Sequence, residues 1–302
     1  MENRVLITGS NGLLGQSLLK LLKLRGNIEV FATGRGKDRF NEKGYKYHNV
    51  DLVDKVQIDN LIREVKPDVI IHGAAMSRVE DCEDNPELAI QVNTKATELL
   101  LNASRDNNVK QFIFLSTDFV FEGDKGPYSE EDDCNPPNFY GETKLKAEQL
   151  ILEDTSSIIK TIIRTCLVYG QVKDMSRSNI MLWVKGKLEA KEPIKVVEDQ
   201  LRTPTFVDDL AEGCILSYEK KVGGIFHISG KDKLTPFDIS LKVASFLNLD
   251  DNLIEPVNAS VFKEHGRRPL KTGFDISKAI EVLGYEPIGF DEGMSKVLEN
   301  KV

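Results

Sequence analysis

Short apolar runs alternate with amphipathic stretches through the first half of the chain. Residues 5–8, 30–33, 69–71, 112–115 and 158–164 are rich in β-branched and aromatic side chains. Such runs predict strands covered on both faces. Between them, residues 13–24, 56–65, 86–105 and 140–152 repeat apolar positions at helical spacing. Strand-helix alternation predicts an α/β, doubly wound parallel sheet whose ligands bind beyond the carboxyl ends of the strands. The second half is more broken, with Gly, Pro and charged residues punctuating 171–204. It predicts helices at 206–218, 237–247 and 276–283 and a strand at 225–229. The pattern divides the chain into 1–165 and a smaller α/β region, 166–302, some of whose elements return to the first sheet.

At 302 residues the chain is long enough for a large core. Its net charge of -8 argues against a general nucleic-acid or anionic-membrane binder. No apolar run reaches the length of a membrane span, and no basic stretch leads into a signal-like segment. Cys82, Cys134, Cys166 and Cys214 are scattered and predict reduced thiols in a cytoplasmic protein. His48, His72, His227 and His265 have no metal-ligand spacing, so no metal site is expected.

The candidate chemistry begins at the first turn. Thr8-Gly9-Ser10-Asn11-Gly12-Leu13-Leu14-Gly15 follows a strand and opens a helix. Glycines there let backbone approach a pyrophosphate, and the helix end offers N–H groups and positive dipole. The second strand ends Thr33-Gly34-Arg35 without the acid that holds ribose hydroxyls in NAD sites. Arg35, Lys37 and Arg39 follow, and a guanidinium suits a 2′-phosphate. NADP(H) is therefore the expected cofactor, with NAD(H) the alternative. Asp51 and Leu52 follow the next short strand, where Asp51 is placed either to meet adenine or to cap a turn. Tyr140 and Lys144 share a helix face, and an ammonium there favours the phenolate. Ser116-Thr117 closes a strand 23 residues before Tyr140.

These residues, with Ala74-Ala75, Arg164-Thr165-Cys166-Leu167-Val168-Tyr169-Gly170, Arg202-Thr203-Pro204-Thr205 and Arg267-Arg268-Pro269-Leu270, resemble the extended short-chain dehydrogenase/reductase family. The likeness covers nearly the whole chain. It is strongest toward the dTDP-4-dehydrorhamnose reductases, through residues 80–89, 115–123 and 266–270. The resemblance implies a Rossmann-type fold with 1–165 binding the cofactor and 166–302 mainly binding substrate. It implies that Thr117 polarises a substrate carbonyl, Tyr140 delivers the proton, and Lys144 tunes Tyr140 and holds the nicotinamide ribose. Gly9, Ser10, Asn11, Gly12, Leu13, Leu14, Ala74, Ala75 and Asn93 would then line the cofactor, Asn93 having a structural reading nearly as good. Ser77, Asn179, Trp183, Arg202 and Arg268 would face a nucleotide-sugar substrate.

Within that family, dehydratases have a second acid after Thr-Asp, where this chain has Phe119, and epimerising reductases have a cysteine that residues 116–121 lack. Phe119 and Leu167 stand where the rhamnose-forming branch has Tyr and Trp. The implied reaction is NADPH-dependent reduction of a nucleotide-linked 4-keto-6-deoxy sugar. A 4-epimerase is one alternative. Another is a non-catalytic regulatory subunit like the β subunit of methionine adenosyltransferase. A homodimer is an open assembly.

Overall fold

The apolar runs become the interior of one parallel sheet. The computed structural model describes residues 3–175, 178–262 and 266–299. Its first strands are β1 (Asn3–Thr8), β2 (Ile28–Gly34), β3 (Lys46–Asn49), β4 (Val69–His72), β5 (Gln111–Thr117) and β6 (Ile159–Thr165). Then come β7 (Val168–Tyr169), β8 (Ile194–Val197), β9 (Thr205–Phe206), β10 (Gly224–His227) and β11 (Ile254–Val257). Seven of them form the sheet β10-β6-β5-β4-β1-β2-β3. All its neighbours run parallel. The winding reverses between β1 and β4, where Thr8 lies beside His72. Ligands of such sheets bind at this reversal, beyond the strand ends.

Alternate side chains of each strand feed two cores. Val5 and Ile7 pack with Leu18, Leu19 and Leu22 of α1 (Leu13–Leu22) and with Leu210 and Cys214. Leu6, Phe112 and Phe114 face the other way. There they meet α2 (Lys55–Val65), and further on Leu100, Ala147 and Ile151. The period of two in β-structure makes this division automatic once both faces are covered.

The helix expected at 86–105 is interrupted. After α3 (Val79–Asp84), the chain forms α4 (Pro86–Ala89), a π-helical stretch Ile90–Lys95, and α5 (Ala96–Asp106). The wider turn carries Asn93 inward. Next come α6 (Phe139–Glu153), α7 (Ile180–Glu189), α8 (Val207–Glu219), α9 (Pro236–Leu247) and α10 (Phe290–Glu299). The helix expected at 276–283 shrinks to the π-helical Ala279–Leu283, which ends where Gly284 adopts φ of 66°.

Helices α7 and α10 and strands β8 and β11 were not expected. β8 and β11 pair only with each other across some sixty residues, so no local pattern announces them. With α7 and α9 they enclose a third core of Met181, Val184, Ile194, Val196, Ile239 and Val243. The second half also returns to the first: β10 extends the main sheet beside β6, and α8 shares a core with α1.

Candidate active site

The glycine loop is shaped for a close-lying anion. A Cβ at Gly15 would overlap the Gly9 carbonyl, and one at Gly9 would lie 2.8 Å from Ala74 N. Gly9 also has φ of 71°, a conformation glycine tolerates. Gly12 caps α1 with no side-chain acceptor, and the first turn holds no acid. The opening N–H groups, including those of Leu13 and Leu14, thus point out of a helix end suited to a pyrophosphate. These features fit a dinucleotide. Ser10 plays a different part, since its Oγ donates to the Thr33 carbonyl at 3.1 Å and fastens the loop to β2.

Beyond β2, Arg35 and Lys37 are exposed and Arg39 is half-buried. Asp51 Oδ1 accepts from Val53 N at 3.3 Å, as a turn cap would. Leu52 packs on the core beneath α2. Ala74 N donates to Thr8 Oγ1 at 3.3 Å, while Ala75 and Ser77 are exposed on the same loop.

Thr117 ends β5 and is 7% exposed. Asn138 caps α6 by accepting from Gly141 N at 2.9 Å, so the helix starts directly at Phe139 and Tyr140. Gly141 is needed here: a Cβ would overlap the Phe119 carbonyl. That close approach brings Tyr140 to the turn just after Thr117, with the Phe119 and Tyr140 rings edge-on at 6.2 Å. One turn on, Lys144 is 2% exposed and its Nζ lies 3.8 Å from the Phe114 ring centroid. Burial pulls the Lys144 ammonium down to about 7, against the opposing pull of Glu148. A lysine so poised exchanges charge readily near neutrality.

Two buried polar networks surround this set, and the sequence announces neither. Asp118 accepts from Thr117 Oγ1 at 3.2 Å, from Cys166 Sγ at 3.3 Å and from the Thr272 hydroxyl. Arg202 Nε lies 3.9 Å away. Burial raises the Asp118 carboxyl, against Arg202 and these hydrogen bonds. In the second network, Thr8 Oγ1 meets His72 Nδ1 at 2.7 Å, and His72 Nε2 meets Thr97 Oγ1 at 3.0 Å. Thr97 Oγ1 donates to the Asn93 carbonyl at 2.7 Å. The Asn93 amide donates to Met76 O at 2.9 Å and Thr143 Oγ1 at 3.0 Å, and Thr143 donates to the Tyr140 carbonyl at 2.8 Å. Asn93 thus supports the site through neighbours in this structure. The partners lie up to 154 residues apart, which hides them from any local reading.

The substrate candidates scatter. Arg202 is 4% exposed, and its guanidinium donates to the carbonyls of Leu201, Pro269 and Leu270. Arg268 pairs with Glu80 on α3. Asn179 caps α7, accepting from Leu182 N at 3.2 Å and donating to Gly170 O at 2.5 Å. Trp183 is exposed on that helix. Among the described residues no group of three or more His, Cys, Asp or Glu side chains could hold a metal. None of the helices there is long and apolar enough to cross a membrane.

The family model of the RmlD substrate binding domain matches residues 3–302. The chain belongs to that family. It is an extended short-chain dehydrogenase/reductase with the fold of the dTDP-4-dehydrorhamnose reductases. The structure of dTDP-4-dehydrorhamnose reductase from Bacillus anthracis in complex with NADP superposes with a TM-score of 0.84 at 26% identity, covering 100% of both chains. Methionine adenosyltransferase 2 subunit beta from Bos taurus is 31% identical over 94% of this chain and 83% of its own. A probable low-salt glycan biosynthesis reductase, Agl14, from Haloferax volcanii is 30% identical over 92% of this chain and 91% of its own. The chain is therefore similar both to reductases and to a subunit of another enzyme.

Proposed function

We propose that this chain binds NADP(H) and reduces the keto group of a nucleotide-linked 4-keto-6-deoxy sugar, with dTDP-4-dehydrorhamnose the leading substrate. The observation that carries the reading is the approach of Tyr140 on α6 to the strand end at Thr117, with Lys144 buried one turn behind. Gly9, Gly12 and the first N–H groups of α1 would hold the pyrophosphate. Arg35 and Arg39 would receive the 2′-phosphate in place of a ribose-binding acid. Bound nicotinamide supplies the hydride. Thr117 has one hydroxyl proton, which a rotation about its Cβ–Oγ1 bond turns from Asp118 to the substrate oxygen. Tyr140 gives its phenolic proton to that oxygen as negative charge develops there. Lys144, as ammonium, stabilises the resulting phenolate. Hydride and proton together account for the two-electron reduction.

A second reading is a non-catalytic NADP-binding regulatory subunit, favoured by the 31% identity to methionine adenosyltransferase 2 subunit beta. The complete set of Thr117, Tyr140 and Lys144 favours catalysis, because a subunit that only binds NADP needs no proton donor beside a substrate carbonyl. NADPH oxidation at ~340 nm with dTDP-4-keto-6-deoxy-L-mannose, in wild type and Tyr140→Phe, separates the two. Turnover that drops by about 100-fold in the variant supports the reductase. NADPH binding without turnover sends the assignment to other keto-sugars and then to the regulatory reading.

A further inference from the structure

Asn11 occupies the middle of the glycine loop, yet its side chain serves the loop that follows β2. The two N–H groups of Nδ2 are shared among three acceptors, the carbonyls of Arg35 at 3.2 Å and Lys37 at 3.0 Å and Tyr47 Oη at 3.0 Å. Oδ1 accepts from Arg39 N at 2.9 Å. A backbone N–H can only donate, so this contact fixes which end of the amide is oxygen. Tyr47 Oη passes its own proton to the Gly36 carbonyl at 2.9 Å, and Gly36 N donates to Asn49 Oδ1 at 2.8 Å. Gly36 sits at φ of 79°, as the tight loop requires. One amide thus holds residues 35, 37 and 39 of a single loop.

The loop's other contacts sort its charges. Its acid, Asp38, is engaged by Tyr45 Oη at 2.6 Å and by Phe40 N at 3.2 Å. Arg35 and Lys37 stay exposed. A Cβ at Gly34 would lie 3.1 Å from Asn11 Nδ2 and 3.3 Å from Tyr47 Oη. Any side chain there, a ribose-binding acid included, would press on the brace. The backbone cradle for the pyrophosphate, by contrast, needs nothing from the Asn11 side chain.

We infer that the Asn11 side chain determines cofactor selectivity, by holding residues 35–39 as a cationic receptor for the 2′-phosphate of a dinucleotide. The inference rests on the NADP(H) part of the proposed function and is independent of the sugar. Removing the brace should weaken the phosphorylated cofactor and largely spare the unphosphorylated one, which carries no 2′-phosphate for the cations of residues 35–39 to meet.

The test is the dissociation constants of NADPH and NADH, read by fluorescence, for wild type, Asn11→Ala and Tyr47→Phe, with melting curves as the check on folding. The expected result is a ratio of the two constants reduced by about tenfold in Asn11→Ala, with NADH changed less than about twofold. Tyr47→Phe, which deletes one hydroxyl of the same brace, should move the ratio the same way by less, and it decides the matter if Asn11→Ala does not fold. Equal weakening of both cofactors, or no change, overturns the selectivity role while leaving the proposed function standing. A wild type that binds both equally overturns the NADP preference and this inference together.

Discussion

The Lys144 ammonium rests on the face of Phe114, 3.8 Å from the ring centroid. Phe114 lies in β5, three residues before Thr117, and is fully buried. The lysine thus exchanges water for a cation–π contact and the charge of Glu148 one turn on, and its pKa falls to about 7. An unfolded lysine keeps its proton to ~10.4. Between these values the unfolded chain binds more protons, so this residue makes stability rise with pH from about 7 to ~10.4 and contributes no slope outside that window. Urea unfolding of wild type and Lys144→Met across pH 6 to ~11 should give a difference curve with that slope. A flat difference curve would show that the lysine is not desolvated as described.

Asp118 gathers three side-chain donors and Arg202 in a buried pocket. Asp118→Ala leaves those donors without an acceptor and should cost about 3 kcal/mol of stability in urea unfolding. It should also lower kcat in the keto-sugar assay by about tenfold or more, because the turn after Thr117 loses its ties to Cys166, Thr272 and Arg202. Unchanged stability would mean that water replaces the carboxylate.

Arg164 and Glu148 form an ion pair that is nearly fully buried, with Nη2 and Oε2 2.7 Å apart. Removing one partner strands a charge, so Glu148→Ala should cost about 3–5 kcal/mol. The double variant Arg164→Met/Glu148→Leu should recover most of that loss. Equal losses in the single and double variants would contradict an energetic pairing.

His72 is 1% exposed, and burial, aided by the Lys144 charge, holds its pKa down to about 3. Thr97 spends its hydroxyl proton on the Asn93 carbonyl, so His72 Nε2 must donate to Thr97 and Nδ1 must accept from Thr8. Nitrogen-15 spectra should therefore show a neutral Nε2–H tautomer that persists well below pH 6. Because the folded value lies under the unfolded ~6.5, His72 draws stability away as pH falls from ~6.5 toward 3. An Nδ1–H tautomer, or titration near ~6.5, would refute the chain of donors.

Most of the main sheet was readable along the chain. Continuous apolar runs can only be buried on both faces, and Gly9, Gly12 and Gly15 mark a close approach that larger residues would block. The spacing of Tyr140 and Lys144 places them on one helix face without reference to anything else. The pairing of β8 with β11, the widened turn at Asn93 and the choice of β6 as the partner of β10 were not readable, since each depends on partners far along the chain.

The amino-acid sequence by itself determined the alternation, the glycine loop and the Tyr-Lys pair, because each follows from local periodicity or backbone sterics. Only the tertiary structure decided what surrounds them. It turned Arg202 inward onto Pro269 and Leu270, Asn11 outward onto residues 35–39, and Lys144 onto Phe114. A buried polar group must find its partner wherever the fold brings one within reach, and that distance in space is not encoded in distance along the chain.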